Sequence, residues 1–292
     1  MTIPQRPPLT RRRRGAAAAS NRPGLLGYGF LAIVILSALF PLYWSFLIGS
    51  GDSTTINRDL DWMPGGNFLK NAAAVIENDS VNFWKALLNS IIVSTVVSFS
   101  VVFFSTLAGY AFAKLKFRGG KGLLAFVIAT MAVPTQLGIV PLFIAMSQWF
   151  HLGGSIWAVI IPALVTAFGV FWMTQYLSQA IPDELIEAAR VDGASMIRTF
   201  WHVGLPASRP AAAMLALFTF VATWTNFFWP FIILDSTNPT LPVALSLLQA
   251  NYFIDYSIVL AGVLLSTIPL LILFVIAGRQ LVSGIMQGAV KG

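Results

Sequence analysis

The charged residues with the most definite spacing lie between Pro182 and Pro210: Asp183, Glu184, Glu187, Arg190, Asp192, Arg198 and Arg209. Their types suit reversible charge pairing in water, not covalent chemistry. The rest of the chain offers few catalysts. It has no cysteine, so thiol nucleophiles, disulfides and thiolate-held metals are excluded. His151 and His202 are far apart and show no ligand spacing. Gly119-Gly120-Lys121-Gly122 lacks the spacing and the Ser/Thr of a phosphate-binding loop and reads as a turn. No nucleophile stands at a recognisable distance from a base.

The elements that must position the charges follow from local signals. Pro182 fits a first helical turn, where its missing N–H costs nothing. Asp183 and Glu184 then suit the positive end of the helix dipole. Leu185, Ile186, Ala188, Ala189 and Val191 form an apolar side, and Glu187 and Arg190 add charge. Asp192-Gly193 predicts a stop, because glycine takes the left-handed closing conformation. A second short helix is expected over 194–203, with Met196, Ile197, Phe200 and Val203 at helical spacing. Leu205-Pro206 and Pro210 lead onward. A surface helix lying on lipid would carry mostly Lys and Arg on its polar face. Here four acids face three arginines, which favours a soluble protein partner over lipid.

This charged stretch lies between two segments without charge, and that contrast sets the fold class. The 292 residues are 57% hydrophobic and 10% charged, with a mean hydropathy of +0.78. A soluble domain carries about 25% charged residues. The expected fold is an all-α integral membrane protein with six transmembrane helices, at about 25–48, 86–113, 123–146, 155–177, 211–234 and 257–277. Residues 1–24, with Arg11 to Arg14 in a row, read as a disordered basic tail. The first apolar run is 24 residues, beyond the roughly 7–15 of a signal-peptide core, so it reads as a retained span. Ser90, Ser94, Thr95, Ser98, Ser100, Ser105 and Thr106 suit a second span packed inside a bundle. Pro134 and Pro141 should bend or break the third. The polar loop 49–85 and the loop 235–256 join spans.

With the N-terminus inside, fifteen of the eighteen Lys and Arg fall on the cytoplasmic side, and only Arg58, Lys70 and Lys85 fall outside. Both termini and the 182–210 loop are therefore expected in the cytoplasm. The net charge of +7 reads as this bias and implies no nucleic-acid partner. No Asp, Glu, Lys or Arg lies well inside a span. Ion-coupled carriers keep such groups at membrane depth, so the energy for transport should come from elsewhere.

Glu187-Ala188-Ala189, Asp192-Gly193-Ala194, Phe200, Val203 and Leu205-Pro206 closely resemble the EAA loop of ABC importer permeases of the carbohydrate-uptake group. Asn89-Ser90, Pro134 with Gln136 and Pro141, Trp224 with Asn226 and Pro230, and the closing Gly288-Ala289-Val290-Lys291-Gly292 fit one half of the maltose permease pair. The resemblance covers about 25–292; Val203 departs from a frequent isoleucine. It implies a permease subunit in a bacterial or archaeal cell membrane that forms half of a translocation path for a sugar. It also implies a second permease subunit, two ATP-binding subunits and an extracytoplasmic solute-binding protein. ATP and magnesium would be bound by the ATPase, leaving this chain without cofactor or catalytic activity. Glu187, Ala188, Ala189, Asp192, Gly193, Ala194, Phe200 and Pro206 would couple to the ATPase. Gln287, Gly288 and Lys291 would belong to a tail reaching the same interface.

Candidates for the path are Asn89, Gln136, Trp224, Asn226 and Trp229. Aromatic faces pack on the apolar faces of sugar rings, and amides bond hydroxyls. Trp224 and Trp229 equally suit interfacial aromatic belts. Gln136 suits a helix-packing contact, and Asn89 suits a span end reaching water. A permease for glycerol phosphate or a polyol is the alternative within the class. A secondary carrier or a membrane enzyme fits poorly, for lack of buried ionisable groups.

Overall fold

The computed structural model of the protein describes residues 24–52, 62–250 and 254–289, with side chains described as far as Gly278. The basic tail, apart from Gly24, lies outside the described residues, as do Arg58 and Lys291. So do the side chains of Gln287 and Gly288. The described residues are helical and contain no strand. Two units separate at Trp44/Ser45. The first holds most of α1 (Leu25–Gly49), a helix that runs through Pro41.

The second unit holds everything from Ser45 on. α2 (Phe68–Ile76) precedes the long α3 (Phe83–Lys114). α4 (Gly120–Thr130) and α5 (Ile139–Ile144) follow, the latter running into a π turn at Ala145–Trp149. Next come α6 (Trp157–Ile160), α7 (Ala167–Ala180), α8 (Asp183–Val191), α9 (Met196–Thr199) and α10 (Leu205–Trp224). α11 (Phe228–Ile233), α12 (Leu241–Leu247) and α13 (Tyr256–Ala289) complete it. Among the described residues, five helical stretches are long and apolar enough to span a membrane, and a sixth arises if the bent pair 120–130 and 135–149 counts as one.

α3 is the packing centre. Ser90, Ser94, Ser98, Ser105 and Thr106 are buried, as their small size predicts. A Cβ added at Gly109 would stand 2.7 Å from the Cβ of Met173, so glycine is what lets α3 approach α7 this closely. The main core gathers Val93, Val97 and Val101 of α3 with Met173, Leu177 and Leu215. A second core, around Val75, Phe83, Trp224, Leu241 and Val259, lies toward the opposite end of α3 from Lys114.

The prolines do not all act alike: α1, α10 and α13 run through Pro41, Pro210 and Pro269, and Pro141 sits in the first turn of α5 without breaking it, against expectation. The third span bends by 90° at the break before Pro134. The fourth breaks after Pro162, and the Ser100 hydroxyl donates to the carbonyl of Leu164 freed there, at 2.9 Å. Thr166 then caps α7, accepting from the Gly169 N–H at 3.1 Å. The fifth span differs from the expected 211–234. It is continuous from Met196 to Trp224, so there is no separate short helix over 194–203. The reason is a π turn at Phe200–Gly204, which ends with the Leu205 N–H bonding the Phe200 carbonyl five residues back. The widened turn takes in Pro206, which has no N–H to give. The span ends early at Thr225–Phe227, because a helix there would press the Pro230 ring on the Asn226 carbonyl. α13 runs on to Ala289 where a tail from Gly278 was expected; isolated glycines cost a helix about 1 kcal/mol each without breaking it.

Candidate functional site

The charged island opens at Pro182, which caps α8 and so precedes the first turn by one residue. Asp183 and Glu184 occupy that turn. Asp183 accepts a hydrogen bond from Lys114 Nζ at 2.7 Å. Lys114 is sequestered, with 4% of its side chain exposed, and also donates to the Ser178 carbonyl at 3.3 Å. That bond, the Lys114 charge and the more distant Lys116 hold the Asp183 carboxyl below its ordinary value of 3.8. The last residue of α3 therefore clamps the first turn of α8, a pairing across 69 residues that no local pattern announces.

α8 ends as its glycine predicts. Gly193 has φ +77°, its N–H bonds the Arg190 carbonyl at 3.0 Å, and the Ala194 N–H bonds the Ala189 carbonyl at 2.9 Å. These two bonds form a Schellman closure, with Ala189 and Ala194 as its small apolar contact. Ser195, which sequence reasoning passed over, caps the next turn by accepting from the Arg198 N–H at 3.2 Å.

The eight coupling candidates divide by exposure. Glu187, Ala188, Asp192, Gly193 and Pro206 are exposed, and Ala189 and Ala194 are half-buried. Phe200 is buried, with its ring 5.6 Å from that of Tyr110 on α3. The apolar side of α8 also divides. Ile186 packs inward, while Leu185 and Val191 stay exposed, as do Met196 and Ile197 beyond the turn. Four outward apolar side chains among charges make a surface suited to a protein partner. Beside it, a cleft of about 500 Å³ brings Lys116, Lys121 and Arg190 near Asp183 and Glu187.

The five path candidates do not converge. Asn89 is buried, and its amide donates to the Pro239 carbonyl at 2.9 Å. Ser90 beside it accepts from the Leu241 N–H at 2.7 Å, so the pair fastens the loop after α11 to α3. Gln136 is exposed on the short 3₁₀ turn that follows the bend. Trp229 donates to the Ala158 carbonyl at 3.1 Å. Asn226 lies half-buried at the break between α10 and α11. Trp224 is buried, stacked on Phe220 and donating to the Ser266 carbonyl at 3.2 Å. His151 has φ +53° and serves a turn, and His202 is exposed with Nδ1 2.9 Å from the Arg198 carbonyl.

Trp224 borders a cavity of about 510 Å³ between the end of α10, α12 and α13. Its polar lining is Thr225, Ser246, Gln249, Ser266 and Thr267, without a charged group. Each of these hydroxyls donates its proton to a backbone carbonyl of its own helix, at 2.7–2.9 Å. Their lone pairs remain for a guest. Sequence reasoning missed these residues because a hydroxyl on a helix is ambiguous until its face is known.

The family described as "Binding-protein-dependent transport system inner membrane component" matches residues 102–285. The chain is 32% identical to the arabinooligosaccharides transport system permease protein AraQ of Halalkalibacterium halodurans, over 91% of this chain and 95% of that one. It is 30% identical to the lactose transport system permease protein LacG of Rhizobium radiobacter, over 92% and 97%. The solved structure of a bacterial ABC transporter involved in the import of the acidic polysaccharide alginate shares the fold. Its TM-score is 0.73 at 23% identity, covering 88% of this chain and 95% of that one. The chain is a multi-pass membrane protein and belongs to the family of binding-protein-dependent transport system inner membrane components.

Proposed function

We propose that this chain forms half of the path of a sugar importer and is driven through the 182–210 loop by a separate ATPase. One observation carries this reading: α8 presents Glu187, Leu185 and Val191 outward from a glycine-closed turn and is clamped to α3 by Lys114. Both termini and this loop lie in the cytoplasm, following the Lys and Arg bias. Two ATP-binding subunits hold the ATP and magnesium and receive α8. A second permease subunit completes the path, and an extracytoplasmic binding protein delivers the solute. The C-terminal stretch that holds Gln287, Gly288 and Lys291 reaches the ATPase side.

The solute is a neutral di- or oligosaccharide. The cavity below Trp224 offers hydroxyl lone pairs and the Gln249 amide but no Lys or Arg to balance a phosphate. This favours a sugar over glycerol phosphate. Among the path candidates, Trp224 holds the wall in shape rather than offering its face. Asn226, Gln136 and Trp229 line other parts of the route, and Asn89 holds its far end together.

The test is reconstitution of the chain in liposomes with the permease, ATPase and binding protein encoded beside it. A panel of labelled sugars and glycerol 3-phosphate is then offered. ATP-dependent uptake of a neutral sugar is expected. The double variant Thr225→Val, Thr267→Val should keep the complex intact and slow uptake by about tenfold, the worth of one or two lost hydrogen bonds. Uptake driven by an ion gradient without ATPase would overturn the reading.

A further inference from the structure

The π turn at Phe200–Gly204 joins the island to the fifth span, and one side chain from another helix rests on it. Tyr110 of α3 is buried at 2% exposure. Its ring meets Phe200 in a near-perpendicular arrangement, centroids 5.6 Å apart and planes at 60°. It also lies over Gly204. A Cβ added there would stand 2.9 Å from Tyr110 Cδ2 and 3.2 Å from Cε2, too close for either to stay. Gly204 is therefore a notch and the Tyr110 ring fills it. The hydroxyl of Tyr110 is buried without a hydrogen-bond partner, so the ring's shape and not its polar tip makes the contact.

The position of this notch is what gives it a function. The turn has five residues where an α-helix would use four, and the Pro206 nitrogen carries no proton. The chain is therefore most easily reshaped at this point. Downstream, α10 runs without interruption to Trp224 at the solute cavity. Upstream, α8 is clamped to α3 by Lys114, four residues beyond Tyr110. Along the chain, a displacement of the island reaches α10 through the turn that Tyr110 holds.

We infer that Tyr110 is a positioning residue for coupling: its ring, seated in the Gly204 notch, makes α3 the fulcrum on which movement of the island turns the foot of α10. This rests on the reading that an ATPase drives the island, and it adds the element that transmits the drive. Loosening or overfilling the notch should leave the ATPase bound yet lower the sugar moved per ATP.

The test uses the full transporter in liposomes and measures three quantities: ATPase co-purification, ATP hydrolysis and sugar uptake. Gly204→Ala overfills the notch, and Tyr110→Leu empties part of it. Each single variant is expected to retain the ATPase and to lose about tenfold or more in sugar per ATP, since one methylene too many or too few in a packed site is felt. The double variant Gly204→Ala, Tyr110→Leu exchanges volume across the contact and is expected to recover most of that loss. Tyr110→Phe keeps the ring and should match the wild type, since the hydroxyl it loses has no partner. A variant that merely destabilised the fold would lose the ATPase as well, and Tyr110→Phe and the double variant guard against that reading. Wild-type sugar per ATP in both single variants, or a double variant no better than either, overturns the inference. A wild-type chain that recruits no ATPase overturns the function itself, and this inference with it.

Discussion

Gly193 offers the cleanest quantitative perturbation of the island. Its φ of +77° is a left-handed conformation, yet a Cβ built there meets nothing within 4 Å. A substitution is therefore penalised through the backbone alone. An ordinary L-residue in that conformation costs about 1–2 kcal/mol. The closure opposing this cost is two backbone bonds, Gly193 N–H to Arg190 and Ala194 N–H to Ala189, each worth a net 0.5–1.5 kcal/mol or about that. The two sums are comparable, so Gly193→Ala should lower the population of the closed turn by about 5- to 30-fold without dissolving α8. Gly193→Val, β-branched, should do more. Gly193→Asn should do least, because a short polar side chain tolerates the left-handed region. Gly193→Asp shares that tolerance, so any loss beyond that of Asn reports the added negative charge on the docking surface. The assay is ATP-dependent uptake in liposomes alongside the amount of ATPase co-purified. The expected order is Gly, Asn, Ala, Val, from fastest to slowest. Equal uptake for Gly, Ala and Val would refute the claim that the turn's conformation matters to coupling.

Three further outcomes are expected. Glu187→Lys reverses an exposed charge on α8; the chain should insert normally and uptake should collapse, and wild-type uptake would remove Glu187 from the proposed coupling surface. The Lys114–Asp183 clamp should depend on pH in one direction only. The Asp183 carboxyl is held below 3.8, first by its hydrogen bond from Lys114. Its contribution is thus present above the ordinary value and lost as pH falls through the lowered one. Hydrogen-exchange protection of α8 should be flat from about pH 8 to about pH 5 and fall only below the ordinary carboxylate range, and Lys114→Met should abolish that acid dependence. Asn89→Leu leaves the Pro239 carbonyl buried without its donor, so thermal unfolding in detergent should show a loss of about 1–3 kcal/mol with sugar preference unchanged.

What the sequence made legible was whatever is written locally. Gly193 ends α8 because left-handed backbone favours glycine, and that reads from one residue. The serines of α3 and Thr106 turn inward because small side chains permit close packing, while Thr95 stays exposed, which one helix alone does not announce. Pro134 and Pro162 interrupt helices where they occur. Proline was misleading at Pro206, because a π turn can take in a missing donor and the turn depends on Phe200 and Gly204 meeting Tyr110, about ninety residues earlier. The hydrogen-bond partners of the path candidates were hidden for the same reason. Trp224, Trp229 and Asn89 all have polar groups that look available in sequence, and each is satisfied by a carbonyl from a distant element: Ser266, Ala158 and Pro239. Conversely, Thr225, Ser246, Ser266 and Thr267 look like ordinary helix residues until α10, α12 and α13 bring them together.

Within the second unit α3 relates the island to the loop after α11, and its attachments at its two ends differ in kind. It has 32 residues, which at 1.5 Å per residue is roughly 48 Å, more than a hydrocarbon core. At one end Asn89 and Ser90 hold the loop after α11 through buried neutral hydrogen bonds, at 2.9 and 2.7 Å. Buried bonds of this sort are costly to break and resist sliding. At the other end an ion pair with 74% of its carboxylate side chain exposed and one ring in a notch hold the island. A pair whose carboxylate stands in water is screened and holds loosely, and a ring contact without hydrogen bonds can rock without losing an obligatory partner. The fixed end lies near the cavity beside Trp224 and the adjustable end lies at the island. That asymmetry suits a chain that receives movement at one end of α3 and must keep a defined wall at the other.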